Sequence, residues 1–150
     1  MSKNKFQTRS EKSFERKENF REEKVKTQDK NKIVFSFKDF DHTQPQHNPQ
    51  NFTSWENDKT LAKLMESLKE LTKKTFQEAE REGIITRYNT FPENSDFTCP
   101  KYIDEDACWA VIKKISGQKS RAVGYIVDNI FYLVFLDKDH KFWKTSKKNT

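Results

Sequence analysis

The segment from Trp109 to Leu136 constrains the fold more than any other part of this chain. It holds apolar, β-branched-rich runs at about 108–115, 121–127 and 130–136, with two short turns between them. Strands this closely spaced pair with their sequence neighbours, and short connections make them antiparallel. Asp128-Asn129 suits a two-residue hairpin turn because both residues tolerate positive φ. Gly117 lies in the other turn, at 116–119.

The turns predict a register, and register decides which side chains share a face. With Val127 opposite Ile130, Tyr125 lies opposite Tyr132, Val123 opposite Val134 and Arg121 opposite Leu136. A four-residue turn at 116–119 puts Lys114 opposite Arg121. One face then carries Trp109, Val111, Ile115, Ala122, Ile126, Phe131, Leu133 and Phe135, with Lys113 near its end. It should cover helices. The other face carries Ala110, Ile112, Lys114, Arg121, Val123, Tyr125, Tyr132 and Val134, with Asp137, Asp139 and His140 at the strand end.

Upstream, Ile33 to Phe40 is expected as a first strand, with Ile33, Phe35 and Phe37 alternating with Val34, Ser36 and Lys38. A loop with Pro45 and Pro49 follows. Leu61, Leu64, Met65, Leu68 and Leu71 form one apolar stripe, which predicts a helix near 58–71 capped by Ser54 or Asp58. Thr72 is placed to cap a shorter helix carrying Phe76 and Ala79, with Gly83 ending it. Ile84 to Tyr88 suggests a short strand. Residues 89–106 form a long connection, of the kind that is often functional. The expected fold class is α+β: an antiparallel sheet of four to five strands packed on two helices, within a domain at 32–145.

Composition confines that domain to part of the chain. Charged residues make up 35% of the sequence and apolar ones 33%, too little apolar surface for a core throughout. The net charge of +6 belongs to the ends. Residues 1–32 carry eleven Lys/Arg against six Asp/Glu, and residues 138–150 carry five against one. Between them the balance is acidic. Residues 1–31 have few large apolar side chains, which predicts a disordered, basic N-terminal arm, with a transient helix at Phe14–Phe20. Residues 146–150 make a basic C-terminal tail. Basic ends attract phosphate backbones or acidic partners.

No run of apolar residues is long enough for a membrane span, and the N-terminus has no signal-peptide core. Cys99 and Cys108 make no disulfide framework, and with His42, His47 and His140 they match no zinc spacing. The expectation is a cytoplasmic protein without a metal or other cofactor.

The chemistry sits among the strands. Lys114 and Arg121 can position a phosphate and stabilise charge developing on it. Tyr125 and Tyr132 can stack on unpaired bases. His140 can move a proton near neutral pH. Together they suit RNA cleavage by attack of a 2′-hydroxyl on the adjacent phosphorus. The alternative is a non-catalytic module that binds nucleic acid or protein, of the kind mobile elements and phages carry.

The stretch WAVIKKISGQKSRAVGYIVDNIFYLVFLDKDHKFW, residues 109–143, resembles the tail of the RelE/ParE toxin superfamily, Y-x-I-K…G-x-x-R-x-V-Y-x-V-x-D-x…V…V-x-x-H. The order strand, helix, helix, antiparallel strands is similar too. This resemblance implies a ribosome-dependent mRNA endonuclease held in check by a cognate antitoxin. It places Lys113 or Lys114 and Arg121 at the scissile phosphate. His140 matches the basic residue after the last strand, and Phe142 or Trp143 the aromatic that follows. Lys113, Tyr125, Tyr132 and Trp143 would then bind RNA. The arm and the 89–106 connection lengthen the chain beyond that pattern, and its helices are less basic.

Overall fold

A computed structural model describes residues 9–27 and 31–144, so the tail at 146–150 and the arm's ends at 1–8 and 28–30 lie outside the described residues. These residues fall into two units, one holding the first helix and one beginning at Asn31. The first helix, α1 (Arg9–Thr27), stands where composition predicts disorder. Glu, Lys and Arg dominate it, and these are good helix formers. It has no apolar stripe, and Phe14 is exposed.

The second unit is an α+β domain. In chain order it comprises β1 (Val34–Ser36), α2 (Phe52–Asn57), α3 (Leu61–Leu71), α4 (Phe76–Arg81), β2 (Ile85–Arg87), β3 (Trp109–Ile112), β4 (Arg121–Val127) and β5 (Ile130–Asp137). The strands form one five-stranded sheet in the order β1-β5-β4-β3-β2. The sheet is mixed, where a wholly antiparallel one was expected: β1 pairs with β5 in parallel. Only strands joined by short turns are bound to be antiparallel. β1 is separated from β5 by the rest of the domain, so its direction is free. Its place is pinned by Val34 N–H donating to the Asn129 carbonyl at 2.9 Å and by Asn129 Nδ2 donating to the Lys32 carbonyl at 2.9 Å.

The helices follow the apolar spacing, with corrected caps. Neither Ser54 nor Asp58 caps the Leu-rich helix. Asn51 caps the additional helix α2, where its side chain accepts from Ser54 N–H while the Ser54 hydroxyl accepts from Asn51 N–H. α3 begins after Thr60, and its Leu64, Leu68 and Leu71 are buried. Thr72 closes α3 instead of opening α4. Thr75 caps α4 through a reciprocal pair with Glu78, a capping box. Gly83, at φ +74°, follows the α4 C-cap in the left-handed conformation that favours glycine.

The β4–β5 hairpin keeps the expected Val127–Ile130 and Tyr125–Tyr132 pairs and then slips by one residue. Val123 faces Phe135 instead of Val134, and Arg121 faces Asp137 instead of Leu136. The cause is a bulge beside Gly124 that leaves Val134 as the extra residue of β5. A Cβ on Gly124 would stand 2.0 Å from the Tyr132 carbonyl oxygen, so only glycine lets the two strands approach this closely. Between β3 and β4, Ile112 faces Ala122. Continuing that register sets Lys113, not Lys114, opposite Arg121.

These shifts reassign the faces. Ala110, Ile112, Ala122, Ile126, Phe131, Leu133 and Leu136 share one buried cluster with Trp55, Leu64, Leu68, Leu71, Phe76 and Ala79 of the helices. Trp109, Val111 and Phe135, expected under the helices, belong to a second cluster with Val123, Val134, Phe97, Ile103 and Phe142.

Candidate functional site

The face expected to be open is closed along most of its length. The 89–106 connection lies over it, fixed by Phe91 N–H donating to the Glu105 carbonyl at 3.0 Å and Asp96 N–H to the Lys141 carbonyl at 3.1 Å. Phe91 meets Trp109 edge-on at 4.9 Å and Phe142 at 5.2 Å, while Trp109 stacks on Phe135. Trp109, Val123, Phe135 and Phe142 are all fully buried. This connection is a structural cover, and polar groups are left only at the two ends of the face.

At one end, β4 begins with Arg121 opposite Asp137. The buried Asp137 carboxylate accepts N–H bonds from Lys141 at 2.9 Å and Phe142 at 2.8 Å. Burial raises its proton affinity, and these two bonds pull it back down. They fold the segment after β5 into a tight turn, with His140 at φ +60°. The turn brings Trp143 onto Tyr88, ring to ring at 4.0 Å and 12°. A Lys144–Asp96 ion pair ties the same segment to the connection.

Four of the residues singled out in the sequence meet here: Lys113, Arg121, His140 and Trp143. Burial holds the His140 imidazole below the ordinary histidine value, and the charges of Arg121 and Lys113 push the same way, against Asp137. Its neutral form is therefore favoured at neutral pH. The Arg121 and Lys113 side chains have no hydrogen-bond or ion-pair partner among the described residues. Tyr88 joins them. Burial raises its phenol pKa and Arg121 offsets part of the rise. Tyr88 was not foreseen as a site residue. It follows the edge strand β2, whose position beside β3 becomes visible only once the sheet is ordered.

The other end holds the remaining phenols. Tyr125 and Tyr132 stack at 4.8 Å and 9°. The Tyr125 hydroxyl donates to the Asp39 carboxylate, and burial together with Asp39 pushes that phenol far above its usual range. Lys38 lies 5.2 Å over the Tyr132 ring and pairs with Asp39 at 3.1 Å. Tyr125 is four residues from Arg121, roughly 13 Å along an extended strand, with buried Val123 between them. The tyrosines therefore do not converge with the cations. Lys114 does not either: at φ +63° it turns away, and its Nζ donates to the Glu82 carbonyl at 3.3 Å.

Among the described residues, no group of three or more His, Cys, Asp or Glu side chains is arranged to hold a metal ion. No described helix is long and apolar enough to cross a membrane. Burial and the nearby Glu105 and Asp104 push the Cys99 thiol up to about 11, which favours its protonated, unreactive form. The chain matches no family model, no curated protein and no solved structure.

The geometry can do two things chemically. Arg121 and Lys113 offer positive charge, unpaired among the described residues, beside an aromatic pair, which suits a phosphate linked to a base. A largely neutral imidazole within their field can accept a proton.

Proposed function

We propose that this protein is a RelE-like endoribonuclease, acting at the Arg121 end of the sheet. The observation that supports the reading best is that two cations without a partner among the described residues, Lys113 and Arg121, share one end of the sheet with His140 and the Tyr88–Trp143 stack. The element order around them, strand, helices, then antiparallel strands, also fits the resemblance.

In this reading Arg121 and Lys113 hold the scissile phosphate and stabilise the charge that grows on it. Trp143 and Tyr88 offer an aromatic edge for a neighbouring base. His140 accepts the 2′-hydroxyl proton. The 2′-oxygen then bonds to phosphorus, the bond from phosphorus to the 5′-oxygen breaks, and that oxygen leaves with a proton drawn from solvent. The products are a 2′,3′-cyclic phosphate and a 5′-hydroxyl, and His140 returns its proton to solvent. The protein's partners would be mRNA on the ribosome and a cognate antitoxin.

The test is cleavage of single-stranded RNA, with and without ribosomes, by the wild type and by Arg121→Ala and His140→Ala. The expected result is cyclic-phosphate ends from the wild type and a loss of about 10²-fold or more in each variant. Intact RNA under both conditions would reject the reading, as would variants that cut at the wild-type rate.

A further inference from the structure

On the helix side of the sheet, α3 and the segments flanking β2 and β3 enclose a groove of about 340 Å³. Leu71, Ile84 and Ile115 form its apolar floor. Its rim carries Lys63, Lys74, Lys113 and Lys114, opposed by Glu66 and Glu70. Some of this charge is satisfied: Lys74 pairs with Glu82 at 2.9 Å and Glu70 with Lys73 at 3.2 Å. The rest is not. Lys63 reaches only the Ser116 hydroxyl at 3.4 Å, and Lys114 only the Glu82 carbonyl. With Lys113, that makes three lysines without a carboxylate partner among the described residues, facing Glu66 across an apolar floor.

Clustered cations over a low-dielectric surface concentrate anions. The volume falls at the small end of the range of about 300–1,000 Å³ typical of small-molecule sites. Lysines suit phosphates as point charges, and an apolar floor suits the face of a base. Lys113 links this groove to the Arg121 end of the sheet, because it lines the groove and its charge also lowers the proton affinity of His140.

We propose that the groove receives the nucleotide flanking the scissile phosphate of a single-stranded RNA. The base lies on Leu71, Ile84 and Ile115, and Lys63 and Lys114 hold its phosphates. This rests on the reading of the Arg121 end as an RNA site. It gives Lys114 a binding role in place of a catalytic one, and it carries the RNA around the end of β3 instead of across the closed face.

The test uses the full chain and a fluorescent 2′-O-methyl hexanucleotide, which cannot be cleaved through its 2′-oxygen. Binding is followed by anisotropy over a range of salt, for the wild type and for Lys63→Gln/Lys114→Gln. Both lysines sit on the rim, so the double variant should fold. It should bind about tenfold more weakly, and its dependence of log K on log salt should flatten by about 1.4, or roughly 0.7 for each lost phosphate contact. With cleavable RNA, KM should rise while kcat holds. Unchanged affinity and slope would overturn the proposal. Binding that weakens in the variant without any cleavage by the wild type would keep the groove and reject the nuclease. Cleavage with an unchanged KM would do the reverse. Failure to bind the hexanucleotide, with an acidic peptide bound instead, would reject both.

Discussion

The two faces of the sheet are both buried, but by different means. Helices cover one with periodic aliphatic side chains, Leu64, Leu68 and Leu71 meeting Ile112, Ala122 and Leu133. A long irregular connection and the segment after β5 cover the other with aromatic rings, Phe91, Phe97 and Phe142 on Trp109 and Phe135. The helical cover has its own backbone hydrogen bonds. The loop cover depends on a few tethers, chiefly Asp137, Asp96 and Gln44, whose amide exchanges two bonds with the Thr98 backbone. The difference teaches where a site can lie. The helices shield their face except at the groove beside α3, whereas the loop cover stops where its tethers stop, and Arg121 and His140 lie at that limit.

The sharpest way to break the comparison is at the seam. Gly124→Ala drives a Cβ into the Tyr132 carbonyl oxygen and the Phe131 ring, which stand 2.0 and 2.6 Å away, and both faces lose their register. Urea denaturation should show a loss of about 4 kcal/mol or more. Next is Trp109→Ala. It empties the centre of the loop-covered face and should cost about 4 kcal/mol, against about 3 kcal/mol for Leu68→Ala under the helices. A much smaller loss at Trp109 would mean that the loop cover collapses to fill the space, and that the two faces are not equally close-packed.

The tethers give a smaller effect, through pH. His140 has a folded-state pKa below its ordinary 6.5, so the stability it confers is full above 6.5 and drains as pH falls through the folded value. Asp137 runs the other way. Its folded pKa lies above 3.8, so it favours the fold most below 3.8 and loses that contribution as pH rises through the folded value. Denaturation midpoints of His140→Gln should therefore depend less on pH than the wild type just below 6.5. Those of Asp137→Asn should lack the gain toward acid, while the mutation loosens the turn that holds Phe142. The smallest effect is expected at Arg121→Ala, within about 0.5 kcal/mol, because no partner loses a bond. A large loss there would mark Arg121 as structural and weaken its role on phosphate.

Much of the helical side was legible in advance because period and burial agree. The leucine stripe of α3 and the Asp128-Asn129 turn both stand where the residues place them. The loop-covered face was harder for a physical reason. Both faces of β3 to β5 are apolar, so no alternation of polar residues fixes the register, and a slip of one residue exchanges the faces. Two such slips occur: the β3–β4 register moved Trp109 and Val111 across the sheet and set Lys113 in place of Lys114, and the bulge at Gly124 moved Phe135. Only the second had a signal, Gly124, a glycine inside a strand pattern. Arg121 and His140 survived the slips because they lie at strand ends, where the turns set position. Tyr125 and Tyr132 kept their pairing, but their distance from Arg121 depends on the buried layer between, which residue types alone do not show.

The parallel pairing of β1 with β5 carries a consequence in time. Val34 has no strand partner until Ile130 has been made, so nearly the whole domain must leave the ribosome before the sheet gains its last edge. Until β5 is made, the nascent chain presents an unpaired β4 edge and an unseated first strand. The turn that carries His140 comes later still, so any activity at this site is delayed until synthesis of the domain is almost finished.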